Sequence, residues 1–414
     1  MTSQYRELIT DYAYANYKSM FREPSGILNF PFIVPGACYD DSLWDWDSYF
    51  TNVAIRQLFE FKGESEDFIK YERGSVINFL EKTRDSGCTP HLLTPVRDVI
   101  SEHPEYETNT HKPVLAQHVA FVLKETGEDT EWFKPYFHKL DLYMKGYIKN
   151  QRHENGIFFW IDDTGIGVDN DPCTFFRPKR SSGSIYINCL MYKEFLAMEY
   201  VCNLLSETAL AEFYRGEGEA LKAAVRENCW DEHDGFYYSV DLNLLPINLN
   251  QELHSGAPRD WDCLIQRIGC WSGFMAIWAG IATPEQAKRM VREHLLNFDE
   301  YNSNYGVRTL AKYEKMYQVV KTGNPSCWLG PVWGISNYLT FAGLVDYGFQ
   351  KEARELAEKT VKLLGEDVRV NGVMSEYYHP DTGAPINNPG FQNWNLLSLN
   401  MMAWLDGDKM IREF

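Results

Sequence analysis

Residues 331–366 read PVWGISNYLTFAGLVDYGFQKEARELAEKTVKLLGE. In the second half, Ala353, Leu356, Ala357, Val361 and Leu364 fall at i, i+3, i+4, i+8 and i+11, which is one face of a helix over 350–366. The apolar first half predicts another helix over 331–347, and only Gly348-Phe349 separates the two. A link that short makes the helices antiparallel neighbours. Upstream, Thr283-Pro284-Glu285-Gln286 supplies an N-cap, a proline at the first helical position and a capping-box glutamine for a helix over 283–297.

The same periodicity predicts twelve helices, near 2–21, 46–60, 64–84, 113–126, 130–151, 184–206, 207–229, 262–281, 283–297, 331–347, 350–366 and 392–406. One strand, Gly235 to Val240, is expected in a small hairpin between helices. Connections alternate strictly. Short ones lie at Lys62-Gly63, Gly127-Glu128-Asp129, Ser206, Ala282 and Gly348-Phe349, and long ones at 22–45, 85–112, 152–183, 230–261, 298–330 and 367–391. If consecutive helices run up and down, all six long loops emerge at one end, and loops of such length usually carry function. The pattern predicts an all-α fold, an (α/α)6 barrel of six helical hairpins with a site at its mouth. A helical solenoid would show self-similar repeats at a fixed period, which the chain lacks. No Pro/Ser-rich linker divides it, which predicts a single domain over 1–414.

The net charge is −18, with no basic run. Such a chain repels phosphate backbones, so nucleic acid and anionic membrane are poor partners. The N-terminus lacks a basic region followed by an apolar one, and no stretch is long enough to span a bilayer, so a cytoplasmic location is expected. Nine cysteines form no Cys-x-x-Cys pair, giving little support for a zinc or redox motif; buried free thiols in a reducing compartment are expected. Aromatic residues reach 15 %. Their faces suit the apolar faces of sugars, and each alone is equally accounted for by core packing.

Three segments carry candidate chemistry, each in or beside a different long loop. In Leu43-Trp44-Asp45-Trp46-Asp47-Ser48-Tyr49-Phe50, carboxylates alternate with tryptophan where the second helix begins. They can accept hydrogen bonds from sugar hydroxyls while Trp46 walls the ring, or they can cap the helix. Asp162, Asp163, Asp169 and Asp171 crowd a glycine-containing loop, where like charge and burial can hold a proton on one of them. A solvated turn is the plain alternative. A calcium loop is the other, but Asp169-Asn170-Asp171 is too compact for an EF-hand and no glutamate follows at the required distance. In Gly372 to Gly383, Glu376 stands alone among aromatics, and Pro380-Asp381-Thr382-Gly383 reads as a turn. Glu376 can hold a water for attack or merely accept hydrogen bonds from other loops. No Gly-x-Ser-x-Gly elbow, HExxH or phosphate-binding loop occurs.

From roughly residue 30 onward the chain resembles glycoside hydrolase family 63, in the same broad clan as the trehalases. Trp46 to Phe50 is similar to the family's W-D-[ST]-x-F segment, and Gly167-Val168-Asp169-Asn170-Asp171-Pro172 resembles G-x-D-N-S-P with Asp171 in place of Ser. Trp328-Leu329-Gly330-Pro331-Val332-Trp333 resembles W-R-G-P-[IV]-W, with Leu329 at the usual Arg position. Glu376 to Gly383 resembles E-Y-Y-[DH]-P-x-T-G, and Phe391 to Trp394 the closing G-F-x-W element. His111-Lys112-Pro113 stands where the family tends to carry Gln-Pro-Pro. The length is that of the compact bacterial members, which include mannosylglycerate and glucosylglycerate hydrolases.

The resemblance implies an inverting hydrolase of α-linked glucosides or mannosides, with Asp169 as general acid, Glu376 as general base and Asp171 as the reserve acid. The expected substrate-binding residues are Asp47, Trp46, Tyr39, Asn170, Arg180, Trp328, Trp333, Tyr378 and Trp394. Arg177 and Arg180 can meet a carboxylate aglycone or, the preferred reading, pair with nearby acids. The chemistry needs no metal and no cofactor. The alternatives are a trehalase-like hydrolase, a sugar epimerase on the same barrel, which requires a pair of His bases, and a non-catalytic sugar-binding protein.

Overall fold

The computed structural model describes residues 2–63, 68–244, 261–320 and 325–414. The first four residues of the helix expected over 64–84, and parts of the long connections 230–261 and 298–330, lie outside them.

Among the described residues there are twelve α-helices: α1 (Thr2–Asn16), α2 (Asp45–Lys62), α3 (Ile69–Lys82), α4 (Leu115–Glu125), α5 (Phe137–Asn150), α6 (Ile185–Leu204), α7 (Thr208–Asn228), α8 (Met275–Trp278), α9 (Pro284–Arg289), α10 (Gly334–Asp346), α11 (Gln350–Asn371) and α12 (Ser398–Asp406). Each corresponds to one expected helix. The capping box at Thr283 and Gln286 is formed, and α9 continues into a π-helical turn over Met290–Leu295.

The even-numbered helices are the inner ones. Residues 115–123 of α4 and 334–344 of α10 are buried without a break, whereas α7 and α11 bury one stripe and expose the other. The inner helices neighbour one another in turn, α4 with α6, α6 with α8, α8 with α10, α10 with α12 and α12 with α2. The Asn52 side chain of α2 lies 3.0 Å from the His118 ring of α4, and Tyr49 packs on the same ring. Partners within a hairpin, such as α6 with α7 and α10 with α11, pack along their length. The tight links turn through left-handed backbone: Gly63 ends α2 at φ 71°, and Gly348 joins α10 to α11 at φ 77°. Ser206 takes φ 63° in the α6–α7 link without a glycine.

The expected helix over 262–281 is corrected. Leu264–Ile265 is a strand paired antiparallel with Val240–Asp241, which also pairs with Ser182–Gly183, and only a 3-10 turn over Trp271–Phe274 and the short α8 follow. A short buried apolar run has no periodicity that separates helix from strand. Similarly, Val332–Trp333 leaves the expected helix over 331–347 to pair with Tyr377–Tyr378. The expected hairpin near Gly235 forms between Trp230–Asp231 and Phe236–Tyr237.

These small sheets knit neighbouring long loops together in pairs. Leu43–Trp44 pairs with Leu92–Thr94, Ser182–Gly183 with Val240–Asp241, and Val332–Trp333 with Tyr377–Tyr378. Beneath them one apolar cluster extends from Tyr5 to Ile411. All nine cysteines are free, seven of them buried. No described helix is long and apolar enough to cross a membrane.

Candidate active site

A cavity of ≈ 450 Å³ opens among the long loops. Its lining includes Asp169 from the α5–α6 loop, Glu376 from the α11–α12 loop, Asp47 and Trp46 at the start of α2, and Tyr39, Trp333 and Trp394.

Glu376 immediately precedes the strand Tyr377–Tyr378, whose pairing with Val332–Trp333 sets it beside Trp333. Its backbone N–H donates to the Asn387 carbonyl at 2.9 Å, and Asn387 Nδ2 donates to Glu376 Oε2 at 3.1 Å. The Pro380–Gly383 turn closes this hairpin, with His379 N–H donating to Ala384 O. Glu376 is only 4 % exposed. Burial pushes its pKa up to about 7, helped by the charge of Asp169 and opposed by hydrogen bonds from Asn388, Asn387 and Tyr39.

At the start of α2 the two readings of the acidic pair divide between its members. Asp45 is the structural one: it accepts from Trp46 N at 2.7 Å, from Lys112 N at 2.7 Å and from Lys112 Nζ at 2.6 Å. Burial opposes its charge, but Lys112, His111 and His91 hold its pKa below the ordinary value. Asp47 faces the cavity and accepts from Asn393 Nδ2. Burial pushes its pKa up to about 8, against the pull of Lys112.

The loop bearing Asp169 is clamped from several sides. Lys112 Nζ donates to Gly165 O at 2.9 Å, and Asn109 Nδ2 donates to the carbonyls of Asp162 and Thr164, both at 2.8 Å. Asn170 Oδ1 accepts from Trp328 N at 3.1 Å, and its Nδ2 donates to Ser326 O at 3.3 Å. Gly167, at φ 83°, passes so close to α2 that a Cβ there would lie 2.8 Å from Lys112 Cε and 2.9 Å from the Trp46 ring.

Two carboxyl groups facing one aromatic-walled cavity is an arrangement suited to acid–base chemistry on a sugar. The family described as mannosylglycerate hydrolase MGH1-like glycoside hydrolase domain matches residues 40–394. The chain belongs to this glycoside hydrolase family. It is 28 % identical over 417 residues to mannosylglycerate hydrolase MGH2 of Selaginella moellendorffii, covering 87 % of this chain and 80 % of that one. It is 24 % identical over 420 residues to the cytosolic neutral trehalase of Kluyveromyces lactis, covering 86 % of this chain. The chain spans 52 % of that trehalase's length. Its fold matches the family 63 mannosylglycerate hydrolase of Thermus thermophilus, solved with glucose, with a TM-score of 0.70 at 18 % identity over 94 % of this chain and 99 % of the other. A further structure of that protein holds Tris and D-glycerate.

Other residues expected at the glycoside hydrolase site lie elsewhere. Trp328 is buried behind the cavity wall, stacked on Trp333 at 4.2 Å between ring centres. Tyr378 is fully buried, and its hydroxyl donates to Asp367 at 2.8 Å. Asn170 serves the loop contacts above. Arg180 donates to Tyr106 O at 2.7 Å and lies 3.7 Å from Glu107, and Arg177 pairs with Asp241. Both arginines thus pair with nearby protein groups. Asp171 turns away from the cavity to accept from Cys173 N and Thr174 Oγ1. Leu329 is buried, its carbonyl accepting from Gln318 N.

The lining also contains His91 and Lys112, which the sequence reading did not place at the site. His91 arrives because Leu92–Thr94 pairs with Leu43–Trp44, a contact with no local signature. Lys112 did leave a signal: a lysine at the entrance to the apolar stretch before α4, where the resemblance leads one to expect proline.

Proposed function

We propose that the chain is an inverting glycoside hydrolase with one catalytic domain, an (α/α)6 barrel, in which Asp169 is the general acid and Glu376 the general base. The observation that carries this is the meeting of Asp169 and Glu376, from the third and the last long loops, in one cavity with Asp47 and Trp46. The closed succession of inner helices supports the barrel.

Protonated Asp169 gives its proton to the departing glycosidic oxygen. Ionised Glu376 takes a proton from a water that attacks the anomeric carbon from the opposite face, and the configuration inverts. The charge of Asp169 is one of the causes that raise the pKa of Glu376. Asn387 Nδ2 donates to Glu376, which favours its ionised form as the base. Asp47 is placed to bind sugar hydroxyls, with Trp46, Trp333 and Trp394 as the aromatic wall.

The substrate class is an α-linked glucoside or mannoside, a glycosylglycerate or a trehalose-like disaccharide, by analogy with the relatives. Epimerisation is less well supported: among the described lining residues His91 is the one imidazole, and its Nδ1 lies 3.3 Å from Asn109 O.

The test is turnover of α-mannosylglycerate, α-glucosylglycerate and trehalose by the wild type, Asp169→Asn and Glu376→Gln. The proposal expects kcat to fall by about 10³-fold or more in each variant with circular dichroism unchanged. Activity within tenfold of wild type in either variant removes that residue from its role.

A further inference from the structure

Asp171, Cys173 and Cys270 form a cluster for which the reaction has no use. The first two follow Asp169 in the α5–α6 loop, and Cys270 arrives from the segment before α8. All three are buried, with relative exposures of 6 %, 1 % and 7 %. Cys173 Sγ lies 3.8 Å from Cys270 Sγ, and Cys270 Sγ lies 3.4 Å from Asp171 Oδ1. One donor atom from each of the three lies within 4.8 Å of the others.

Those separations have a simple geometric meaning. Around a tetrahedral zinc ion with Zn–S of ~2.3 Å and Zn–O of ~2.0 Å, two sulfurs stand ~3.8 Å apart and a sulfur and an oxygen ~3.5 Å apart. Two of the three separations therefore match those of a zinc site, and the third, between Cys173 Sγ and the Asp171 carboxylate, is within 4.8 Å. A pair of hydrogen-bonded thiols would also fit the sulfur separation, so the carboxylate is the deciding group. Among the described residues its side chain accepts from Cys173 N at 3.2 Å, Thr174 Oγ1 at 3.1 Å and Cys270 Sγ, and no Lys, Arg or His pairs with it. A carboxylate taken out of water without a counter-ion is costly, and a bound cation removes that cost. Asp171 is also the position at which this chain departs from the G-x-D-N-S-P pattern, an acid standing in place of serine.

The geometry points to a site for a thiophilic divalent cation of the zinc type, held by Asp171, Cys173 and Cys270. The ion would pin the segment that carries Asp169 to the segment that leads into α8. Binding displaces the two thiol protons to solvent, and no oxidant or reductant is involved.

The experiment uses the full chain purified with a reductant that does not chelate metals, stripped and reloaded with Zn(II), then dialysed. One equivalent of zinc retained per chain is expected, along with a rise in Tm that chelator reverses. Co(II) in its place should give sulfur-to-metal charge-transfer absorption. Cys270→Ser and Asp171→Ser should each weaken zinc binding by about tenfold or more, and a Cys263→Ser control should not. Either of two results overturns the site: wild type that retains no zinc while its thiols titrate freely, or zinc retained equally by Cys270→Ser. The second would place the ion elsewhere, with Asp231, His233 and Asp234 as the other such cluster among the described residues. The Co(II) spectrum is read on folded protein whatever the catalytic activity, so the site is tested independently of the proposed function.

Discussion

At the residue scale, burial tunes two carboxyl groups of the cavity, Glu376 and Asp47. Glu376, raised to about 7, must be ionised to act as base. Activity should therefore fall as pH drops through 7, with kcat/KM declining about tenfold per unit below it. A pH–rate profile flat from 5 to 8 would contradict the assignment. The same shift has a stability consequence. The folded state holds this proton more tightly than the unfolded chain, so between about 4.5 and 7 the group's contribution to stability declines as pH rises, and above 7 the fold bears the full cost of a buried charge. Glu376→Gln removes that charge. At pH 8 it should stabilise the protein on the order of 2 kcal/mol more than it does at pH 4, read as a difference in Tm between the two conditions. Asp47, raised to about 8 by burial, behaves in the same sense over a wider window. Its neutral form can donate a hydrogen bond as well as accept one.

At the element scale the decisive unit is the loop from Asp162 to Pro172, held between α2 and the α9–α10 loop. Gly167→Ala should cost about 1–3 kcal/mol, because the backbone sits at positive φ and the new methyl meets Lys112 and Trp46. It should also lower kcat, because Asp169 is two residues away. Unchanged kcat and Tm would show that the clamp has no part in positioning the acid. Lys112→Met should cost about 3–5 kcal/mol by leaving Asp45 buried without its cation, checked by denaturant titration. Much of this element was legible in advance. The crowd of carboxylates between glycines marked a loop of interest, and the resemblance pointed to Asp169. What could not be read was which way each acid turns. Asp169 faces the cavity and Asp171 the two thiols, a choice set by the left-handed backbone of Asn170 and by contacts to Ser326 and Trp328, far away in the chain. The helix expected over 262–281 failed for a related reason. Leu264–Ile265 take a strand partner at Val240–Asp241 that helical periodicity does not register.

At the scale of the whole molecule, apolar periodicity was enough to foresee the twelve helices. It did not reveal how the end of the chain binds the inner helices. Glu413 accepts from Trp278 Nε1 of α8 and from the Tyr338 hydroxyl of α10, and Phe414 N donates to the Tyr49 hydroxyl of α2. Burial opposes the Glu413 charge, yet Arg412, Lys193 and Tyr338 lower its pKa to about 2. Its stabilising contribution is thus complete above about 4.5 and is lost as pH falls towards 2. Glu413→Gln should lower Tm at pH 7 and matter little near pH 2; equal Tm values at pH 7 would leave this junction without a role in stability. The central claim reaches across the molecule, since Asp169 and Glu376 come from distant loops to line one cavity. It is tested most directly by proton NMR of the sugar released from an α-linked glycosylglycerate, whose leaving group is not itself a sugar, before mutarotation. The account predicts that the β-anomer appears first, whereas initial release of the α-anomer would contradict it.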